Sequence, residues 1–427
     1  MTTEVIAAGP NVSLADVEAI SARSEEPAWL LERRLEAWRA YEAMDLPDPG
    51  DEQWRRTDVR AIPLDGVRID GAPRSANGSR PLSDDLAAQG VILSDLHVAA
   101  RERGDLVRKY LGTAVKHDEW KYVALNAAAW SSGTFLYVPK DAVIAEPIQI
   151  LTRLSNNESA ALPRALIVID AYATVKVVDE TTSIDGAAPA FVSGVTEIFV
   201  GEGAKVEYYS VNGWGRNVYN FNTVRAVLGR DAELTATVVG TGSKLTKARY
   251  DVLMPESGAR TQLLGVTFGD GDQHFDYNTL QDHSGQHTTS DLQFKSALTD
   301  SASLVWYGVT HIRRSAGGSE ANQTSRNLLL SEQAKAAPIP ILEIEAYDVS
   351  KCSHGATVGP VDENELFYLQ SRAVPHDVAE RMLVEGYFAD VLDRVPDARL
   401  RRRVMDTVLA KMGGGVGTLT FDDVMSA

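Results

Sequence analysis

"AYATVKVVD" (171–179), "EGAKVEYYSV" (202–211), "RDAELTATVV" (230–239), "SGARTQLLGV" (257–266) and "SGQHTTSDLQF" (284–294) decide the fold. Aligned, they place Ala173, Ala204, Ala232, Ala259 and Gln286 in register, at spacings of 31, 28, 27 and 27 residues. After each start, apolar residues alternate with polar ones: Val175 and Val177, Val206 and Tyr208, Leu234 and Ala236. Period two is the signature of a strand with one buried face. Most units are preceded by a second short strand-like run, such as "TEIFV", "TVRAVL" and "YDVLM". A repeat of this length built from short strands predicts a solenoid whose stacked coils share one core. A β-sandwich with coincidental spacing is the alternative.

Outside the repeats the pattern turns helical. "SEEPAWLLERRLEAWRAYEAM" (24–44) opens with Ser24, two acids and Pro27, and Leu31, Leu35, Trp38 and Tyr41 then recur at helical spacing. "PHDVAERMLVEGYFADVLDRV" (375–395) has Pro375 near its start and Leu383, Tyr387 and Val391 every four residues. The expected organisation is an N-terminal helical region over 1–118, a mainly β solenoid core over 119–358 and a C-terminal helical domain over 359–427.

The chain has 427 residues, 44% apolar and 24% charged, with a net charge of −17. It can bury a substantial core, and its charge opposes non-specific nucleic-acid binding, which needs a cationic surface. One cysteine excludes an internal disulfide framework and points to a reducing compartment. "MTTEVIAAGPNVS" has no basic segment followed by an apolar run, and no stretch approaches about 18 uninterrupted apolar residues. A cytoplasmic location with no membrane contact is expected.

Several motifs invite a chemical reading. "VVGTGSKLTK" (238–247) resembles a phosphate loop, but Ser243 separates the glycine from Lys244 and Leu245 follows it, so a turn is expected. His274, His283, His287, His311 and His354 cluster in the last third of the β region. His283 and His287 have the i, i+4 spacing of a zinc pair, yet "DHSGQHTT" contains a glycine turn and is not helical. Asp270, Asp272, Asp276, Asp282 and Asp291 raise a carbohydrate-active solenoid as a less favoured alternative.

"YDVSKCSHGATVG" (347–359) carries Cys352 and, two positions on, His354. On an extended backbone these share one face, about 6.6–7 Å apart along the strand. That is too far for a thiol–imidazole nucleophile pair without a bend, but acceptable for two ligands of a site completed elsewhere. A cluster takes about four protein ligands, so one chain with one cysteine cannot hold it alone. The alternative is a buried cysteine beside a structurally satisfied histidine.

The stretch "SRNLLLSEQAKAAPIPILEIEAYDVSKCSHGATVGPVDENELFYLQSR" resembles the SufB/SufD family, scaffold proteins of the SUF iron–sulfur cluster assembly system. The resemblance rests on Asn327, the serine and acid of "LSEQA", Pro338 and Pro340, "LEIEAYDV", "SHGAT" and "DENELFYLQSR". It extends over about residues 120–410, touching "WRRTD" and, through Asn126, Gly133 and Pro139, "ALNAAAWSSGTFLYVP". Gly355 stands where SufB-like chains carry an acid, and the further cysteines of those chains are missing, so the chain looks more like SufD.

The resemblance implies a right-handed parallel β-helix and a non-catalytic scaffold that pairs with a SufB-like paralogue. It also implies that the C-terminal region around Pro375, Leu383, Tyr387 and Val391 binds a SufC-like ATPase. Cys352 and His354 would lie at the heterodimer interface, with His354 helping to hold a transient iron–sulfur cluster shared with the partner. A homodimeric solenoid without a cluster role is the other expectation, with edge strands near 341–354 pairing two copies.

Overall fold

The computed structural model describes residues 10–63, 67–68, 82–154, 160–183 and 185–413. Most of the N-terminal stretch read for a leader, and most of the glycine-rich end, lie outside them. Between Ser132 and Pro360 the chain winds through about eight coils of a parallel β-solenoid. Successive strands alternate between an eight-stranded sheet, from Ile148–Leu154 to Lys351–Pro360, and a ten-stranded one ending at Lys335–Ile344. Coil stacks on coil in parallel register. The exception is Ile92–Asp95, which pairs antiparallel with Ser132–Val138 and closes the first edge of the larger sheet.

The repeat has a stereochemical cause. Tyr172, Gly203, Asp231, Gly258, His287 and Gly318 all have positive φ, between 52° and 76°. Each reverses the chain just before a buried small residue: Ala173, Ala204, Ala232, Ala259, Thr288 and Ser319. Glycine adopts this left-handed turn freely, whereas Tyr172 and His287 adopt it with strain. The ladder Arg260↔Thr289 therefore puts Thr288, not Gln286, in register with Ala259. "SGQ" imitates "SGA", but the turn residue is His287, two positions later.

Val175, Val177, Val206, Tyr208, Leu234 and Ala236 point inward as the alternation requires, and all belong to one continuous core. The outer faces of both sheets are also covered. Leu166, Val168, Phe191 and Phe221 on the larger sheet pack under the N-terminal helices. Leu264, Val266 and Phe268 on the smaller sheet pack under Val384, Phe388, Val391, Val404 and Val408 of the C-terminal helices.

The helix Ala28–Ala43 buries Leu30, Arg34, Ala37 and Trp38, whereas Leu31, Leu35 and Tyr41 are only half-buried. The expected apolar face is thus rotated to put Arg34 inside. Arg34 lies over the Trp130 ring at 4.3 Å and pairs with Glu26 at 2.7 Å, both side chains fully buried. His97 adds a 2.8 Å contact to the same carboxylate and stacks on Trp130. Burial would raise the Glu26 carboxyl; the His97 hydrogen bond and the Arg34 charge overcome it and hold it at about 2, against 4.5 ordinarily.

Because the folded value is depressed, Glu26 contributes stability fully above pH 4.5 and loses it as pH falls toward 2. Glu26→Gln should lower unfolding free energy at pH 7 by about 3 kcal/mol. The gap from wild type should close between pH 4.5 and 2. Denaturant melts across that range check this, and equal stabilities at pH 7 would refute it.

Candidate functional site at the open end of the solenoid

The interior of the solenoid is built of columns, one inward residue per coil. One column runs Val206, Leu234, Thr261, Ser290, Ala321, Cys352; its neighbour runs Tyr208, Ala236, Leu263, Leu292, Gln323, His354. Every member before the last is buried, while Cys352 is half-buried and His354 exposed. Both therefore occupy core positions of a final coil that no further coil covers. The same-face placement expected from their i, i+2 spacing is present.

The facing strand, Lys335–Ile344, is truncated in the same way. Pro338 and Ile344 stand over the buried Trp306 and Ile312. Ile344 is 48% exposed, Val358 42% and Tyr347, in the turn between the two strands, 92%. The mouth of the solenoid is thus an apolar surface rimmed by two strand edges. The apolar run "PIPIL" (338–342), lying past the last repeat, was the available sequence signal for it.

The two edges differ. Lys335 N–H donates to Ala302 O and Glu345 N–H to Ile312 O, so odd-numbered amides face the preceding coil. Even-numbered amides point to the open edge, and at 338 and 340 proline removes them. Proline on the outward side of an edge strand blunts pairing. The strand bearing Cys352 and His354 has no proline before Pro360. Its edge keeps its donors.

Cys352, with Ala346 and Val349, packs against the buried cluster of Ile312, Ala316 and Ala321. Burial pushes its thiol up from the usual range, opposite to what a reactive thiolate needs. Among the described residues no three histidine, cysteine or acidic side chains converge as a metal site. The donor set is one shielded thiol and one accessible imidazole. Of the two, His354 is the more accessible. Alkylation of Cys352 by iodoacetamide at pH 7.5 should run several-fold slower than for a cysteine in an unfolded peptide, followed by mass spectrometry; an equal or faster rate would refute the shielding.

The other candidates have structural partners. His283 is buried between Thr288 and Ser290 at 2.8 Å each, and burial lowers it to about 4. His287 lies in the exposed turn beyond. His274 contacts Thr57 and Ser303, clamping the "WRRTD" segment to the solenoid. His311 faces Glu343 and Glu345. Asp270 pairs with Arg216 and Lys411, Asp272 with Lys244, Asp276 with Lys247, Asp282 with Arg313 and Asp291 with Arg394. Those carboxylates are engaged in cross-links rather than arrayed for a carbohydrate. "TGSK" (241–244) is the turn between strands Glu233–Gly240 and Leu245–Met254.

In the helix His376–Leu392, Val391 is buried on the solenoid, and Tyr387 lies under Lys295 at 4.5 Å with its carbonyl accepting from Lys295 Nζ. Leu383 is half-buried and Pro375, at the helix start, exposed. The four-residue periodicity thus marks mainly the face that covers the chain's own sheet. The outward apolar groups, passed over in the sequence, are Phe367 and Tyr368 on Glu363–Ser371, with Val378 and Met382 on the next helix. No helix among the described residues is long and apolar enough to cross a membrane.

Comparison with known proteins matches residues 152–387 to the model "SUF system FeS cluster assembly, SufBD core domain", and 78–150 to "SufBD protein N-terminal region". The chain is 29% identical over 424 residues to the iron–sulfur cluster assembly protein SufD of Bacillus subtilis, covering 93% of this chain and 97% of that one. It is 28% identical over 415 residues to SufB of the same organism, covering 89% of each. A SufBD family protein of Staphylococcus saprophyticus is 29% identical over 417 residues, again covering 89% of each. The core match alone spans more than half of the chain, which therefore belongs to the SufB/SufD family of SUF iron–sulfur cluster assembly proteins.

Proposed function

We propose that this chain is the SufD-like subunit of the assembly scaffold, pairing with a SufB-like paralogue through the open end of its solenoid. The observation that carries this reading is that the core columns end, uncovered, on Cys352 and His354. A half-complete donor set on a pairing-competent edge is what a site shared between two chains requires. Gly355 and the single cysteine favour the SufD-like assignment over the SufB-like one. The cluster is cargo, held transiently. His354 is its ligand or proton-handling group on this side, since a neutral imidazole is a suitable iron ligand. Cys352 is an adjacent thiol of secondary importance.

His354→Ala should leave folding, assembly and stimulation of the ATPase partner unchanged, yet impair cluster formation by the reconstituted complex. Unchanged cluster formation would refute the ligand role. A homodimer through the same open edge is the second reading. Sedimentation of the chain alone and with the SufB-like partner separates the two: a homodimer that persists in the presence of the partner would overturn the heterodimer.

The C-terminal helices dock the SufC-like ATPase in this reading. Removing them would uncover Leu264, Val266 and Phe268, so truncation is a poor test. Substitution on the outer face is cleaner. Phe367→Asp with Met382→Asp should weaken binding of the ATPase at least tenfold, about 1.4 kcal/mol, by calorimetric titration. Retained affinity would move the docking site elsewhere.

A further inference from the structure

One coil inside His354, its register partner Gln323 is fully buried. Beneath it the column holds Leu292 and then Leu263, so an amide there is out of character with its neighbours. Buried polar groups are normally hydrogen-bonded, and those that are not call for an explanation. Gln323 Nε2 donates to the carbonyl of Ile341 at 2.9 Å. Ile341 belongs to the final coil, so the amide is turned toward the open end. Among the described residues, its Oε1 has no hydrogen-bond partner.

We propose that Gln323 is a positioning residue for His354, its Oε1 accepting one imidazole N–H so that the other ring nitrogen faces out of the open end as a lone-pair donor. The Ile341 contact engages the NH2 group and leaves the oxygen as the part of the amide still able to accept a hydrogen bond. His354 is exposed and stands directly over Gln323 in the backbone register. A hydrogen bond to one ring nitrogen sets the tautomer and raises the donor strength of the other, the arrangement that orients histidine ligands generally. The inference rests on the reading of His354 as the group offered to the cluster. It adds the residue that prepares it.

The competing satisfaction of Oε1 would be a buried water instead of the imidazole. Gln281 Oε1 accepts from Thr310 at 3.0 Å, while its Nε2 is also unpartnered among the described residues. A buried water shared by Gln281 Nε2 and Gln323 Oε1 would leave His354 unconstrained.

Ring 15N shifts of histidine-labelled full-length protein, alone and with the SufB-like partner, decide between them. The measurement is made above the pH at which imidazole protonates, and His354→Ala identifies the signals. Wild type should show two widely separated His354 ring shifts, one protonated and one bare nitrogen. Gln323→Leu, close in volume and free of the acceptor, should collapse that separation toward the averaged pattern of a solvent-exposed imidazole.

An averaged pattern in wild type overturns the proposal without any variant. So does an unchanged separation in a folded Gln323→Leu protein. Failure of the parent reading appears elsewhere: cluster formation would survive His354→Ala while the tautomer stayed locked.

Discussion

A parallel solenoid satisfies the backbone of each strand with the coil before and the coil after, and it must therefore end twice. At the first end, Ile92–Asp95 runs antiparallel along Ser132–Val138, and helix Leu96–Glu102 follows directly. At the other, the ladders stop at Lys335–Ile344 and Lys351–Pro360 with nothing stacked beyond them among the described residues. The core columns, the apolar mouth and the accessible imidazole are all consequences of that unclosed end. Lateral covering by helices protects the sheet faces, but it does nothing for the axis.

Much of the fold was legible because each coil repeats one local event, a left-handed residue followed by a small inward one. Where that residue is glycine or aspartate the repeat is easy to see, as at Gly203, Asp231 and Gly258. Where it is His287 followed by Thr288, composition hides it, and the nearby Gly285 draws the alignment two residues early. The rotated face of Ala28–Ala43 was hidden for another reason. Arg34 becomes a core residue only because Glu26, eight positions earlier, and His97, far along the chain, meet it inside. Pattern alone cannot separate such an arginine from a solvated one.

The site was legible in part. Spacing placed Cys352 and His354 on one face, and the cysteine count excluded a self-sufficient cluster. The difference in their exposure was not readable. Cys352 packs on the small cluster of Ile312, Ala316 and Ala321, a cluster that does not include His354. Pro338 and Pro340 were visible as a family motif, but their effect depends on parity. Only with Lys335 and Glu345 bonded inward do the prolines fall on the outward amides. The tail misled for the converse reason: its periodicity is that of a helix covering its own sheet, while the groups left outside, Phe367 and Met382, break no pattern.

The asymmetry between the two open edges has a physical consequence for assembly. A solenoid with two competent edges could template further coils, or further copies, without limit, the hazard that edge strands carry generally. Blunting Lys335–Ile344 while leaving Lys351–Pro360 able to pair permits one added strand and prevents continuation of the coil as a whole. A symmetric pair formed through one such strand would bring that strand's own residues close to its counterpart. The strand whose edge keeps its donors is the one that carries Cys352 and His354. Elsewhere in the fold a polar column end would be a defect, whereas here it lies on the last coil, at an edge that keeps its backbone donors.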